Sequence, residues 1–509
     1  MKFDSQKCFN NKGGVIMAYI NIEVWDATGN KKESVEVPND VSVNRIIVLL
    51  IEHLNFPKFD ATGGQLLSYK LHHQATRKQL LDEQTLTQSG VKEGNILRLI
   101  PEIVAGGSQD KVLCISDPTS EKNDRFARFK LINWWEQERL QKAKVLVIGS
   151  GALGNEILKN LALLGVGNIF VADMDNIENS NLSRSVLFRE KDNGSKKSEV
   201  AARAVKDIYP DANIQWFQGD IIYDLGLGVY EWADLVIAGL DNREARLSVN
   251  RNCWKTNTPW IDGAIEQLNG VVRVFIPPHG ACYECTMSDI DWQIIKARKA
   301  CGGLTRDEML LGKVPTTPTS ASVIAGIQCQ EAVKLLHGLE VLESRGYIFN
   351  GLAHDSYVIN YQRKEDCPSH ETYNQIRNLN KSAETTKIEE LIKEIKNEIG
   401  DEAVIEFSRY NGDIIEAFEC STCSKREMIF RPLGKTKEKE AICPACGKER
   451  SPKTFHSLDG SENFLDKNFT DIGIPIFDII VGRNGMNQVF LKFDQDALTV
   501  LGSLYKGDA

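Results

Sequence analysis

The sequence predicts an α/β chain. A doubly wound parallel-sheet domain sits at its centre, with a small α+β roll ahead of it and a compact cysteine-bearing domain behind it. Three observations carry this. First, a buried-type strand, 145–148, runs into Gly149-Ser150-Gly151-Ala152-Leu153-Gly154. A helix with Leu153, Ile157, Leu158, Leu161 and Leu164 on one face follows, then a strand over 168–172 that ends at Asp173. Strand, glycine turn, helix and strand in that order form a right-handed βαβ unit. Second, the first hundred residues alternate in strand fashion around a single helical stretch. Third, two Cys-x-x-Cys pairs, Cys420/Cys423 and Cys443/Cys446, lie nineteen residues apart near the C-terminus.

Taken in order, residues 1–16 are a polar tail, and Met17 is a possible start. Residues 17–107 form the first domain. A strand covers Tyr19, Ile20, Asn21, Ile22, Glu23, Val24 and Trp25, a turn falls at Thr28-Gly29-Asn30, and a second strand runs over 34–37. Ser42 caps a helix whose Val43, Ile46, Ile47, Leu50, Ile51 and Leu54 keep helical spacing. Strands follow near 65–71 and 96–100, and the segment ends at Gly106-Gly107. This ββαβ…β order resembles the ubiquitin roll, particularly bacterial YukD-type ubiquitin-like domains. Residues 108–120 read as a linker and 124–142 as one helix. The central domain spans 121–370 and includes a strand over 234–238 that leads to Asp241. Residues 371–400 are a polar linker and an amphipathic helix with Ile388, Leu391, Ile392, Ile395 and Ile399 in register. Thr386 and Glu389 make its capping box and Gly400 ends it. Residues 401–509 form the small strand-rich domain.

Composition excludes several classes. Hydrophobic residues at 42% and charged residues at 26% are ordinary globular values, enough to build cores. A formal charge of −9 argues against a general nucleic-acid surface. No apolar run reaches membrane-span length, and 1–15 lacks a secretory apolar core, so no membrane partner is expected and a cytoplasmic location is.

The glycine turn alone, with Asp173 placed to hold a ribose, equally suits a dinucleotide dehydrogenase. Downstream residues change the balance. The chain continues Asp173-Met174-Asp175, then Ser180-Asn181-Leu182-Ser183-Arg184, then Lys197, and later Leu240-Asp241-Asn242. Hydride transfer needs no such set. A triphosphate site needs cations for the phosphates and a carboxylate for magnesium. No G-x-x-x-x-G-K-S/T occurs, which excludes a P-loop.

On these residues the chain resembles the ThiF/MoeB/ubiquitin-activating-enzyme superfamily. The family pattern is G-x-G-x-x-G, then D-x-D-x-V/I-x-x-S-N-L-x-R, a lysine about thirteen residues on, and D-N at a strand end. All of it is present in order within 121–370. The resemblance implies ATP and Mg2+ as cofactors. Gly149, Gly151, Ala152 and Gly154 would cradle the nucleotide, with Asp175 beside them, and Asp173 would bind ribose. Ser180, Asn181, Arg184 and Lys197 would contact phosphates, and Asp241 would bind magnesium with Asn242 alongside. Arg125-Phe126-Ala127-Arg128 resembles the family's opening R-Y/F-x-R segment, whose second arginine acts across a dimer. This implies a homodimer with Arg128 acting in trans. The chain departs from the family at Ser185, where glutamine is common.

In a cytosolic protein, Cys-x-x-Cys spacing reads as zinc before disulfide, with a redox dithiol as the rival. Cys282/Cys285 and Cys367/His370 form one candidate set, and the resemblance places the family's zinc there, with His370 in place of the commoner cysteine. Cys420, Cys423, Cys443 and Cys446 have zinc-ribbon spacing. Both sets fill four positions and so read as structural.

Cys8 and Cys114 lie in tail or linker. Cys253 and Cys329 sit in apolar helical patterns and read as core. Cys301 lies in Lys296-Ala297-Arg298-Lys299-Ala300-Cys301-Gly302-Gly303. Nearby cations favour its thiolate, and an incidental loop thiol is the rival reading. Thioester-forming members of the family carry their nucleophile in this crossover region.

The expected function is therefore adenylation of the C-terminal glycine of a ubiquitin-like protein, followed by transfer to Cys301. A ubiquitin-conjugating-type enzyme would then receive the thioester. The alternatives are a sulfur-carrier-protein adenylyltransferase serving thiamine or molybdopterin synthesis, and a non-catalytic interaction scaffold.

Overall fold

The computed structural model describes residues 19–27, 29, 31–58, 67–102, 124–300, 315–407 and 413–506. Met17, the Gly106-Gly107 pair and the expected linker 108–120 lie outside them. The chain divides into two units between Trp135 and Glu136.

In the first unit, strands β1 (Tyr19–Trp25), β2 (Lys32–Pro38), β3 (Tyr69–His73), β4 (Lys78–Gln79) and β5 (Ile96–Pro101) form one sheet ordered β2-β1-β5-β3-β4. The β1/β2 pair is antiparallel, β1/β5 parallel and β3/β5 antiparallel. Alternate residues Ile22, Val24, Val35, Val37, Leu71, Leu97 and Leu99 are buried with Val43, Ile46, Ile47 and Leu50 of helix α1 (Val43–His53) in one core. Period-2 strands and a period-3.6 helix each present one apolar face, and those faces close on each other.

The helix expected over 124–142 is broken. The Asp124 carboxylate accepts the Phe126 N–H at 2.8 Å, and a 3-10 turn covers Phe129–Leu131. Phe129 packs on Trp135 at 4.7 Å between centroids, and helix α2 begins only at Gln137 (Gln137–Lys142). An aspartate that bonds the backbone two residues on offers the chain a turn in place of a helix.

The second unit is built on an eight-stranded sheet. Its strands are β6 (Lys144–Ile148), β7 (Asn168–Asp173), β8 (Asn213–Gln218), β9 (Leu235–Ala238), β10 (Trp260–Glu266), β11 (Asn269–Phe275), β12 (Arg345–Asn350) and β13 (Asp355–Asn360). Their order is β13-β12-β11-β10-β9-β6-β7-β8. The stretch from β8 to β10 is parallel and β11–β13 continue antiparallel, a doubly wound α/β core with a hairpin extension. Its helices are α3 (Ala152–Leu164), α4 (Lys197–Ile208), α5 (Leu227–Trp232), α6 (Arg243–Lys255), α7 (Asp289–Ala300) and α8 (Pro318–Leu336).

One face of this sheet is covered partly by the C-terminal segment. Leu146, Ile148, Phe170 and Ala172 share a core with Phe477, Ile479, Val481, Phe490, Ala497, Leu501 and Leu504. These come from β20 (Ile479–Asn484), β21 (Asn487–Lys492), α10 (Ala497–Leu501) and their flanks. The contact is close: a Cβ on Gly226 or Gly228 would lie 2.4 or 2.5 Å from the carbonyl oxygens of Ile476 and Phe477. Strands β20 and β21 belong to a second sheet with β14 (Arg377–Asn378), β15 (Val404–Glu406) and β19 (Ser457–Leu458), against which α9 (Ile388–Ile399) packs. A three-stranded sheet of β16 (Ile414–Glu419), β17 (Arg426–Pro432) and β18 (Ser451–Phe455) carries the second cysteine set. The capping box expected at Thr386 is absent: its hydroxyl donates to the Ser382 carbonyl at 2.6 Å, and Lys387 occupies the cap position.

Candidate nucleotide site and metal clusters

Strand β6 pairs with β7 on one side and β9 on the other, so the strand order reverses there. Ligands of open α/β sheets bind beyond the carboxyl ends of the strands at such a point. The glycine turn occupies it. Gly149 has φ +86°, and a Cβ there would come 2.7 Å from the Gly239 carbonyl oxygen at the end of β9. At Gly154 a Cβ would fall 1.8 Å from the Gly149 carbonyl oxygen. At Gly151, which precedes α3, a Cβ would meet nothing within 4 Å. The first and third glycines are thus needed for packing, whereas the second leaves the helix N-terminus open to an anion.

The other sequence-chosen residues emerge from the carboxyl ends of β7 and β9. Asp173 is buried; one carboxylate oxygen accepts the Ser150 N–H (2.6 Å) and hydroxyl (3.0 Å), the other the Asp175 N–H (2.8 Å). Asp175 pairs with the Lys197 ammonium at 2.8 Å, at the start of α4. Asn181 accepts the Glu178 N–H at 2.9 Å, and the Ser180 hydroxyl donates to Glu178 at 3.2 Å. Arg184 donates to the Ser180 carbonyl at 2.7 Å, which holds its guanidinium over the same turn. Beyond β9, Asp241 is exposed and accepts from the Asn242 amide at 3.2 Å, while Asn242 caps α6 through the Ala245 N–H at 2.8 Å. Arg128 belongs to the first unit, where it precedes the 3-10 turn.

Sequence reasoning passed over three supporting groups. Asn155, fully buried, bonds the glycine turn and the Leu187 N–H. Arg246 holds the carbonyls of Leu240 and Gly263, the first of them just before Asp241, and pairs with buried Asp262 at 2.9 Å. Asp262 also takes Arg273 at 2.5 Å. The available signal was a polar residue inside an apolar pattern, as Asn155 is between Leu153 and Ile157.

Among the described residues, two clusters have metal-ligand geometry. Cys282, Cys285, Cys367 and His370 present their ligand atoms within 4.8 Å of one another. The sulfurs of Cys282 stand 3.6 Å from Cys285 and 3.5 Å from Cys367, and Cys285 is 3.4 Å from His370 Nε2. Zn–S bonds of about 2.3 Å imply tetrahedral S–S edges of ~3.8 Å, which these spacings approach. His370 stacks on Trp254 at 4.2 Å between centroids. The Cys285 thiol is drawn well below its usual range by hydrogen bonding to Cys282 and Cys367. The second cluster pairs Cys420 with Cys446 at 3.5 Å and Cys423 with Cys443 at 3.6 Å. Each of its loops turns back on itself: the Cys420 N–H bonds the Lys425 carbonyl, and the Cys443 N–H that of Lys448. The Cys423 backbone N–H pulls Cys420 down to about 6. Within each set the thiols share protons: hydrogen bonding to their neighbours pushes Cys367 and Cys446 up as Cys285 and Cys420 are drawn down.

Cys253 and Cys329 are buried in α6 and α8, and burial raises both thiols, Cys329 to about 12. Cys301 lies outside the described residues. Among those residues no helix is long and apolar enough to cross a membrane.

Residues 123–369 match the ThiF family, and residues 19–99 match the WXG100 protein secretion system protein YukD. Relatives include the NEDD8-activating enzyme E1 catalytic subunit of Dictyostelium discoideum, 42% identical over 30% of this chain and 37% of that protein. Another is the SUMO-activating enzyme subunit uba-2 of Caenorhabditis elegans, 38% identical over 30% of this chain and 27% of that one. The chain thus spans roughly a quarter to two fifths of the length of these relatives. Among solved structures, E. coli MccB with ATP matches at 24% identity over 50% of this chain and 76% of that one, with a TM-score of 0.41. With the reversed strand order and its glycine turn, the two family matches make residues 123–369 a ThiF-family domain that follows a YukD-type ubiquitin-like domain.

Proposed function

We propose that this chain is an ATP-dependent adenylyltransferase that activates the C-terminal glycine carboxylate of a ubiquitin-like protein. The observation that carries the reading is the ordered set at the strand ends. An open glycine turn lies after β6, Asp173 ends β7 with Arg184 and Lys197 following it, and Asp241 lies beyond β9. The relatives named above act on SUMO and NEDD8, which supports the same substrate class.

The residues fit ATP. The N-terminus of α3 lies open at Gly151, and an anion there is stabilised by unpaired backbone N–H groups. Asp173, fixed against Ser150, is the ribose group. Ser180, Asn181, Arg184 and Lys197 supply phosphate contacts, with Lys197 released from Asp175 to do so. Asp241, exposed and bonded only to its neighbour's amide among the described residues, suits a magnesium ion, which binds one or two carboxylates plus phosphate oxygens. Magnesium would neutralise phosphate charge. Arg128 would reach the phosphates of a second copy in a homodimer.

A carboxylate oxygen of the carrier attacks the α-phosphorus, the bond to the β-phosphate breaks, and pyrophosphate leaves. The protein's part is positioning and cationic stabilisation. The Cys301 thiolate then attacks the acyl carbon and AMP departs. A conjugating-type enzyme receives the thioester. Both cysteine clusters would hold structural zinc, because four protein ligands leave no open position, and the spacing of the one near the C-terminus suits a zinc ribbon. A sulfur-carrier adenylyltransferase shares the first step, and the ThiF-family match suits it too.

Carrier-dependent exchange between pyrophosphate and ATP tests the reading. Asp241→Ala should reduce exchange by at least ~10²-fold, the scale of losing one electrostatic anchor. Undiminished exchange would remove Asp241 from this role.

A further inference from the structure

We infer that Asn155 is a positioning residue that aims the glycine-turn amides at the nucleotide phosphates and keeps the Arg184 segment in register with them. This rests on the adenylation reading above.

Asn155 lies in the first turns of α3 and is fully buried. Its amide nitrogen donates to the carbonyls of Ser150 at 2.6 Å and Gly151 at 3.0 Å. Its amide oxygen accepts the Leu187 N–H at 2.8 Å. Two carbonyls on one side and an N–H on the other leave a single sensible orientation of the side chain.

Both pinned carbonyls belong to trans peptides, since the cis bond among the described residues is Pro277-Pro278. In a trans peptide, C=O and N–H point in opposite directions. Holding the Ser150 oxygen therefore directs the Gly151 N–H away from Asn155, and holding the Gly151 oxygen does the same for the Ala152 N–H. Those two groups precede or open α3, where no intrahelical acceptor exists for them. The backbone there is uncrowded: a Cβ on Gly151 would meet nothing within 4 Å. The third bond reaches Leu187, three residues beyond Arg184. One side chain thus links the backbone donors with the segment that carries the arginine.

An isosteric apolar side chain would free the Ser150 carbonyl and the Leu187 N–H, and would leave the Gly151 carbonyl to the 2.9 Å helical bond from the Asn155 backbone N–H alone, so that the Ser150–Gly151 peptide can rotate. The acidic isostere would keep the Leu187 contact and lose both carbonyl contacts. The test is equilibrium binding of α,β-methylene ATP with magnesium, and separately of adenosine, to the full-length chain and to Asn155→Leu and Asn155→Asp. Both variants should bind the triphosphate at least ~10-fold more weakly and adenosine within about twofold of wild type, because one lost buried hydrogen bond is worth about tenfold. General loosening of the domain would weaken both ligands alike, and that result overturns the inference, as does unchanged triphosphate binding. Hydrogen exchange on the wild type needs no variant. The triphosphate should protect 149–155 and 185–189 together, and protection of one segment without the other also overturns it. A wild-type chain that binds neither ligand would sink the adenylation reading instead.

Discussion

Two glycines of one turn should respond differently to the same substitution. At Gly154 an added methyl would sit 1.8 Å from the Gly149 carbonyl oxygen and 2.7 Å from its carbon. The obstruction is backbone, so the turn itself must open. Overpacking a core costs about 1–3 kcal/mol when side chains can yield, and backbone obstruction places Gly154→Ala at or above ~3 kcal/mol. Each kcal/mol shifts Tm by about 2–4 °C in domains of 150–250 residues and by less in larger ones, so a fall of roughly 5–10 °C is expected. At Gly151 the methyl meets no atom within 4 Å, and φ is −74°, open to any L-residue. A small loss of capping is offset by reduced unfolded-state entropy, each under about 1 kcal/mol, so Tm should move by no more than ~2 °C. That methyl would instead stand where phosphate approaches the helix N-terminus. Gly151→Ala should therefore keep its melting curve and lose most of its ATP affinity, whereas Gly154→Ala should lose both. Differential scanning fluorimetry and calorimetric ATP titration read the two quantities. Wild-type affinity in Gly151→Ala, or an unshifted Tm in Gly154→Ala, would refute the geometry.

Purified protein should contain two zinc ions per chain by elemental analysis. Cys443→Ser with Cys446→Ser should remove one and leave pyrophosphate exchange largely intact; iron as the native metal, or no metal, would contradict the ligand reading. Cys301→Ala should retain exchange but lose any thiol-sensitive enzyme–carrier adduct on a non-reducing gel, and an adduct that persists would assign the nucleophile elsewhere. If the wild type accumulates free acyl adenylate without an adduct, the sulfur-carrier reading moves ahead. Cys253 and Cys329, buried with raised thiol values, should resist iodoacetamide at neutral pH until the chain is denatured. Rapid native labelling of either, seen by mass spectrometry, would contradict their burial.

Much of the candidate site was legible because its chemistry is local. Glycines at set spacing, Asp175 and Lys197 on successive segments, and Asp241 at a strand end are written in the order in which the parallel strands deliver them. The cysteine sets were equally plain, since a Cys-x-x-Cys loop places two sulfurs together without help from the rest of the fold. Less legible were the groups that satisfy other groups. Asn155, Arg246 and Asp262 have meaning only against carbonyls that approach from other segments. The helix over 124–142 failed for a related reason: its apolar and aromatic spacing suits a helix, but the Asp124 side chain and the tilted ring contact of Phe129 with Trp135 favour a turn.

Periodicity and spacing in the sequence were enough for the doubly wound class, the glycine turn and the metal-ligand pairs, because short-range geometry decides all three. Only the tertiary structure decided what covers the sheet. Residues 470–506 read as part of a separate C-terminal domain, yet Phe477, Phe490 and Leu501 complete the core beneath β6 and β7. Hydrophobic burial is non-directional, so an apolar strand carries no label for its partner. The partner is chosen where close approach is possible, here at Gly226 and Gly228, whose bare backbones admit the carbonyls of Ile476 and Phe477.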